Sequence, residues 1–260
     1  MSRYRDMFGR LTEEGAFGAF LMLGDPDLTR CSSLLHSLVE GGADMIEVGI
    51  PFSDPVADGP TIQAASERAL RAGVRVADCL QLIADFRARH SAIPIGILTY
   101  ANIVVARSGF MRDAAEAGAD SLLIADVPAL EAEPFVRDME QAGLEPVLIA
   151  AANTPETTLE QIAELSRAYT YCVSRSGTTG THAIGRFDSD LIRRLEDLEA
   201  APPLFGFGIS KPEHVRSALL AGARGVICGS AIVESAARGK DVTELVRSLK
   251  AATGNDSPPQ

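Results

Sequence analysis

Short apolar runs alternate with longer stretches in which apolar residues recur every three or four positions. The runs fall at 17–23, 45–49, 95–98, 121–124, 146–150, 169–173, 204–206 and 225–228. They are too short for helices and show little polar alternation, the pattern of strands buried on both faces. Helical periodicity lies between them, at 29–40, 64–72 with 76–90, 107–117, 130–142, 157–165, 188–198 and 212–221, with a last stretch at 242–251. Regular alternation of this kind implies parallel strands joined by helical crossovers.

The helix ends support this reading. Gly41-Gly42-Ala43-Asp44, Ala117-Gly118-Ala119-Asp120 and Ala221-Gly222-Ala223-Arg224 each place a glycine where a left-handed C-cap is wanted, just before a strand. Ser210-Lys211-Pro212-Glu213 reads as a capping box, with Pro212 near the first helical position. Eight such α/β units in this length match a closed (β/α)₈ barrel. A doubly wound open sheet is the rival. No Gly-x-Gly-x-x-Gly opens a helix after the first strand, which weakens its dinucleotide-binding form. No linker divides the chain, so residues 1–253 are read as one domain, with an amphipathic helix at 1–12 covering the barrel bottom. Polar, proline-containing 254–260 reads as a disordered tail.

Composition narrows the function. A 260-residue chain with 46% hydrophobic and 23% charged residues is ordinary for a soluble globular enzyme. A net charge of −11 argues against a nucleic-acid surface, which needs a basic face, but not against an anion site built from backbone amides. No apolar run is long enough to span a bilayer and no signal core follows the N-terminal charges, so a cytoplasmic location is expected. Cys31, Cys79, Cys172 and Cys228 are dispersed and read as reduced, packed thiols. No His/Cys cluster has metal spacing, so no metal is expected.

Chemistry concentrates in two places. Glu47 lies inside the apolar run Met45-Ile46-Glu47-Val48-Gly49, and Asp58 follows in a loop stiffened by Pro51, Pro55 and Pro60. A carboxylate in a buried strand is costly unless paired or working. Two carboxylates in unlike environments allow one to donate a proton while the other stays ionised. In a parallel barrel both belong to the C-terminal rim, where working groups project. The plainer alternatives are an arginine partner for Glu47 and a turn-forming role for Asp58.

The second place is glycine-rich. Ser174-Arg-Ser-Gly-Thr-Thr-Gly-Thr-His182, Gly206-Phe-Gly-Ile-Ser210 and Cys228-Gly-Ser-Ala231 follow the last three strands. Neutral amides there, with a helix dipole and the Ser230 hydroxyl, suit a phosphate. The long segment from 174 to 187 reads as a lid, with a plain surface loop as the alternative. Strand parity puts Phe20, Leu98, Tyr100, Leu123, Ala125, Ile149, Tyr171 and Phe207 around an apolar slot suited to a flat ring. His36, His90 and His214 read as surface or helix residues, and His182 falls in the lid.

Together these segments resemble the tryptophan synthase α subunit family. The most specific is Ile46-Glu-Val-Gly-Ile-Pro-Phe-Ser-Asp-Pro-Val-Ala-Asp-Gly-Pro-Thr-Ile-Gln63, supported by Leu23-Gly-Asp-Pro26, Tyr100-Ala-Asn102, Ala125-Asp-Val-Pro128, Ser174-Arg-Ser-Gly-Thr-Thr-Gly180, Gly206-Phe-Gly-Ile-Ser210 and Gly229-Ser-Ala-Ile-Val233. The resemblance implies an α/β, single-domain (β/α)₈ TIM barrel that cleaves indole-3-glycerol phosphate to indole and glyceraldehyde 3-phosphate. It implies Glu47 as general acid–base and Asp58 as the partner of the indole N–H. It also implies Gly180, Gly208, Gly229 and Ser230 as phosphate contacts, Thr179 as the lid residue that touches the catalytic Asp, and the eight slot residues as the indole pocket. No metal or organic cofactor is implied in this chain. Pyridoxal phosphate is expected only in a β-subunit partner, in an α2β2 assembly, with 51–54 and 100–102 facing it.

The chain departs from the family pattern at Ala19, Met22, Thr99, 103–107 and 150–152, which leaves the carboxylates intact but bears on coupling to the partner. A stand-alone indole-releasing lyase, another phosphate-binding barrel enzyme and a non-catalytic activating subunit are the competing expectations.

Overall fold

The architecture is a closed parallel barrel, described here in a computed structural model over residues 2–173 and 187–254. The chain runs α1 (Arg3–Arg10), β1 (Ala16–Met22), α2 (Leu28–Glu40), β2 (Met45–Gly49), α3 (Pro60–Arg71), α4 (Val76–Arg89), β3 (Ile95–Thr99), α5 (Ala101–Ala106), α6 (Phe110–Ala117) and β4 (Ser121–Ile124). It continues through a 3₁₀ turn (Ala129–Glu131), α7 (Glu133–Ala142), β5 (Glu145–Pro146), β6 (Leu148–Ala151), α8 (Glu156–Leu165), β7 (Thr170–Val173), α9 (Ser189–Asp197), β8 (Pro203–Phe205), α10 (Pro212–Leu220), β9 (Gly225–Cys228), α11 (Ser230–Ala237) and α12 (Val242–Ala251).

The sheet order is β5-β4-β3-β2-β1-β9-β8-β7-β6. Its two ends, β5 and β6, are halves of one stave interrupted at Val147. The barrel therefore closes through the covalent chain, and the fifth predicted strand is found split. Pro146, which has no N–H for a ladder, ends the first half.

Register neighbours sort the interior into layers. Phe20, Glu47, Gly96 and Ser121 are successive partners from β1 to β4. Gly49, Leu98 and Leu123 form the next layer toward the C-terminal ends. At the bottom, Asp120 joins Arg3 and Arg87 at 2.6 Å each and accepts the Ile95 N–H at 2.8 Å. That network pins α1 and α4 beneath the barrel, on the face that serves stability.

Most predicted ends hold within a residue or two. Gly118 and Gly222 take the left-handed conformation, whereas at the first of the three phrases Gly42 (φ 97°) does so and Gly41 does not. The capping box at Ser210 does not form. Lys211 is the N-cap, and the Ser210 hydroxyl instead meets the His214 ring at 3.2 Å. The helix predicted at 107–117 is α6 alone, preceded by the unforeseen α5. The predicted tail from 255 onward lies outside the described residues.

Candidate active site

Glu47 projects into the barrel from the middle of β2 and is 1% exposed. Its Oε1 accepts a hydrogen bond from the Tyr169 hydroxyl at 2.7 Å. Among the described residues no arginine takes it. Arg3 and Arg87 are both engaged by Asp120, so no described arginine pairs with the glutamate. Burial raises the Glu47 pKa to about 7, against a lowering pull from Tyr169 and with a further push from the charge on Asp58. A carboxyl poised there gives and takes protons at neutral pH.

Asp58 sits on the rim after β2, partly buried. Tyr100, at the end of β3, donates its hydroxyl hydrogen to Asp58 Oδ2 at 2.8 Å and accepts the Ala57 N–H at 3.2 Å. Burial raises the Asp58 pKa, and the Tyr100 hydrogen bond opposes it by favouring the anion. Phe52 stacks on Tyr100 with ring centres 5.2 Å apart, which fixes the phenol that holds Asp58. The loop behind is tied down as well: Ser66 Oγ accepts the Phe52 N–H and donates to the Phe52 carbonyl, both at 2.8 Å.

Strand register and packing locate the expected slot residues. Phe20 packs toward Gly49, where any Cβ would come within 2.8 Å of its ring. Leu98 and Leu123 are register neighbours, as are Ile149 and Tyr171. The charges on Glu47 and Asp58 both push the buried Tyr171 hydroxyl up, after the larger effect of burial. Tyr171 donates to the Gly206 carbonyl at 3.1 Å and meets Phe207 edge-on at 6.2 Å. Phe207 is 45% exposed and caps the slot from outside rather than filling it. Tyr100 has a second role that its pocket assignment missed, as the Asp58 donor. Tyr169 was visible only as a strand residue.

Gly208 follows β8 and is exposed with φ 80°. Gly229 follows β9 and caps α11 without a side-chain bond, leaving Ser230 exposed at the first helical position. Because all the strands are parallel, these residues share the rim with Asp58. Uncapped amides at a helix start are ready acceptor-seekers for an anion. Gly180, Thr179 and the rest of the predicted lid from 174 to 186, His182 included, lie outside the described residues, and only Phe187 at its end is described.

One further anchor escaped the sequence reading. Arg68 of α3 grips Asp25, in the loop after β1, through two 2.7 Å bonds. That bidentate pair ties the loop after β1 to α3 beside the site. Among the described residues no cluster of His, Cys, Asp and Glu is placed to hold a metal, and no helix is long and apolar enough to cross a membrane. The chain's three lysines are Lys211, Lys240 and Lys250, and none stands at a strand end.

Comparison with known proteins agrees with this geometry. The family model described as Tryptophan synthase alpha chain matches residues 9–256. The tryptophan synthase alpha chain of Corynebacterium efficiens is 44% identical over 277 residues, covering 97% of this chain and 99% of the relative. That of Klebsiella pneumoniae is 45% identical over 266 residues, with the same coverage of 97% and 99%. The crystal structure of tryptophan synthase subunit alpha from Legionella pneumophila superposes with a TM-score of 0.88 at 29% identity, covering 97% of this chain and 98% of that one.

Proposed function

The chain belongs to the tryptophan synthase alpha chain family, and from that premise we propose how its barrel mouth acts as a carbon–carbon lyase of tryptophan biosynthesis, cleaving indole-3-glycerol phosphate to indole and glyceraldehyde 3-phosphate. The observation that carries the reading is the unlike pair of carboxyls. Glu47 is sealed in the barrel with a pKa near neutrality, while Asp58 is partly open and held by a phenol that favours its anion.

The chemistry needs that difference. Protonated Glu47 delivers its proton to C3 of the ring, making an indoleninium whose positive charge spreads to N1. Ionised Asp58 accepts the N1–H hydrogen bond and stabilises that charge. Glu47, now a carboxylate, takes the proton from the hydroxyl on the adjacent glycerol carbon. The C–C bond breaks as the aldehyde carbonyl forms, and its electron pair returns to the ring as indole. The step is balanced, with one proton added at C3 and one removed from oxygen. Gly208, Gly229 and Ser230 hold the phosphate through neutral donors, with Gly180 and Thr179 assigned to the same site and its lid. Phe20, Leu98, Tyr100, Leu123, Ala125, Ile149 and Tyr171 line the ring slot, and Phe207 covers it from outside.

No cofactor or metal enters this scheme. A β-subunit partner accompanies the α chain in this family. We extend that to an α2β2 assembly in the cytoplasm, with pyridoxal phosphate confined to the partner and the loops at 51–54 and 100–102 facing it. The test is direct: the purified chain is incubated with indole-3-glycerol phosphate, and indole is measured with and without a β subunit. Release of indole by the chain alone, stimulated by the β subunit, is the expected result. No indole under either condition would overturn the reading.

A further inference from the structure

One stretch of the closed barrel wall carries little strand pairing. β4 pairs with β3 along its length but with β5 only through Ser121 and Leu122. β6 pairs with β7, and among the described residues no ladder joins β4 to β6. The last rung across this seam is the Val147 N–H to Leu122 carbonyl bond at 3.1 Å. Beyond it, toward the mouth, lies a cavity of about 300 Å³. Ala125 and Ile149 line it, both of inward parity, and so do Ile124 and Leu148, of outward parity. Val136 and Met139 of α7 close its far side. The cavity thus borders the ring slot at Ala125 and Ile149 and reaches the helix layer.

Its position in the barrel gives it an occupant. β4 stands four staves from β9 in either direction, counting β5 and β6 as one. The seam's β4 edge is therefore diametrically opposite Gly229 and Ser230. A ligand held by its phosphate at β9 and by its ring N–H at Asp58, above β2, points the carbocyclic edge of the ring at the seam. We propose that the seam is an annex of the ring slot, admitting small apolar substituents at C5 or C6 of the indole ring. Those carbons lie farthest from N1 and from the glycerol-bearing C3. Apart from Asp126, whose Oδ1 accepts the Ala101 N–H at 2.8 Å, the side chains that line the annex are hydrocarbon, so it favours methyl or halogen over polar groups. The inference deepens the lyase reading above and rests on it.

The experiment compares kcat/KM for indole-3-glycerol phosphate with its 2-, 5- and 6-methyl derivatives. C2 lies between N1 and C3, against the carboxylates, and serves as the excluded position. The 5- and 6-methyl substrates are expected within about tenfold of the parent, and the 2-methyl substrate at least about a hundredfold below it. Val136→Phe fills the annex from the α7 side without touching the ring slot. It should lower the 5- and 6-methyl values by about tenfold or more and leave the parent within about twofold. Val136→Ala, which risks no overpacking, should raise the value for a 5-ethyl substrate. Cleavage of the parent with the 5- and 6-methyl compounds rejected as strongly as the 2-methyl, or a Val136→Phe loss shared equally by all substrates, overturns the annex alone. No cleavage of the parent by the wild-type chain overturns the lyase reading and the annex with it.

Discussion

Replacing Glu47 with Gln separates its chemistry from its cost. The substitution keeps the volume and a hydrogen-bond partner for Tyr169 but removes the titrating proton. Loss of a general acid–base lowers turnover by about a hundred- to ten-thousandfold, while a non-cleavable indolepropanol phosphate should still bind. Stability moves the other way. The Glu47 pKa rises on folding from 4.5 to about 7. Below 4.5 both states hold the proton and nothing is lost. Between the two values only the folded state holds it, so stability falls with rising pH by about 1.4 kcal/mol per pH unit. Above 7 the full penalty, about 3 kcal/mol, is present. Glu47→Gln escapes it, so its stability relative to wild type should grow by about 2 to 3 kcal/mol between pH 5 and pH 8.5. Urea titrations at those two pH values read this as a change of roughly 1 M in the difference between midpoints. A midpoint difference that is flat with pH, or a variant with wild-type turnover, would refute the assignment.

Three other substitutions probe the rest of the site. Tyr100→Phe removes the 2.8 Å donor to Asp58, a charge-assisted bond of about 1.5–3 kcal/mol. Without it the Asp58 pKa rises further, so the acid limb of the pH–rate profile should move to higher pH, and an unmoved limb would sink the role given to Tyr100. Gly229→Asp has room, since a Cβ there meets Phe20 at an ordinary 3.5 Å, and aspartate also suits an N-cap. KM should rise by about tenfold or more as the carboxylate repels the phosphate, with thermal stability unchanged or slightly higher; an unchanged KM would remove the phosphate from this helix start. Thr99 Oγ1 is buried without a hydrogen-bond partner among the described residues, so Thr99→Val should gain about 1 kcal/mol in a urea titration, and a lowered midpoint would count against it.

How much of this was legible depended on what kind of signal each residue leaves. Met45–Gly49, Ser121–Ile124 and Gly225–Cys228 were read with their true bounds, because strands buried on both faces leave uninterrupted apolar runs. α5 was missed because Ile103, Val104 and Val105 are β-branched and read against a helix. α11 was missed because Ser-Ala-Ile-Val-Glu-Ser-Ala-Ala carries small or apolar residues nearly all round and has little amphipathic contrast. Glu47 stood out as a lone charge in an apolar run, but its partner Tyr169 lies 122 residues away across the barrel. Periodicity says which face a strand residue takes, not which residue of another strand it meets. The seam beside β4 was equally hidden, since a strand's pairing on each edge is a property of its neighbours.

The state of Glu47 follows from what the barrel puts beneath it. Tyr4, carried by α1, meets Ser121 Oγ at 2.8 Å, and its ring lies 5.6 Å from that of Tyr169, which in turn holds Glu47. A Cβ at Gly96 would fall within 2.9 Å of Ser121 Oγ and 3.0 Å of the Tyr4 hydroxyl, so only glycine leaves room for this column of hydroxyls. The column is polar but uncharged. A guanidinium in the same place would hold the Glu47 carboxyl ionised and far below neutrality, and the acid would have no proton to give. Asp120 keeps Arg3 and Arg87 at the barrel's edge instead, where each guanidinium takes one of its two oxygens. α1 is therefore more than a cover for the barrel bottom. By supplying Tyr4 and Arg3 it helps keep a neutral floor under the proposed acid, so that burial rather than a counter-charge sets where Glu47 titrates.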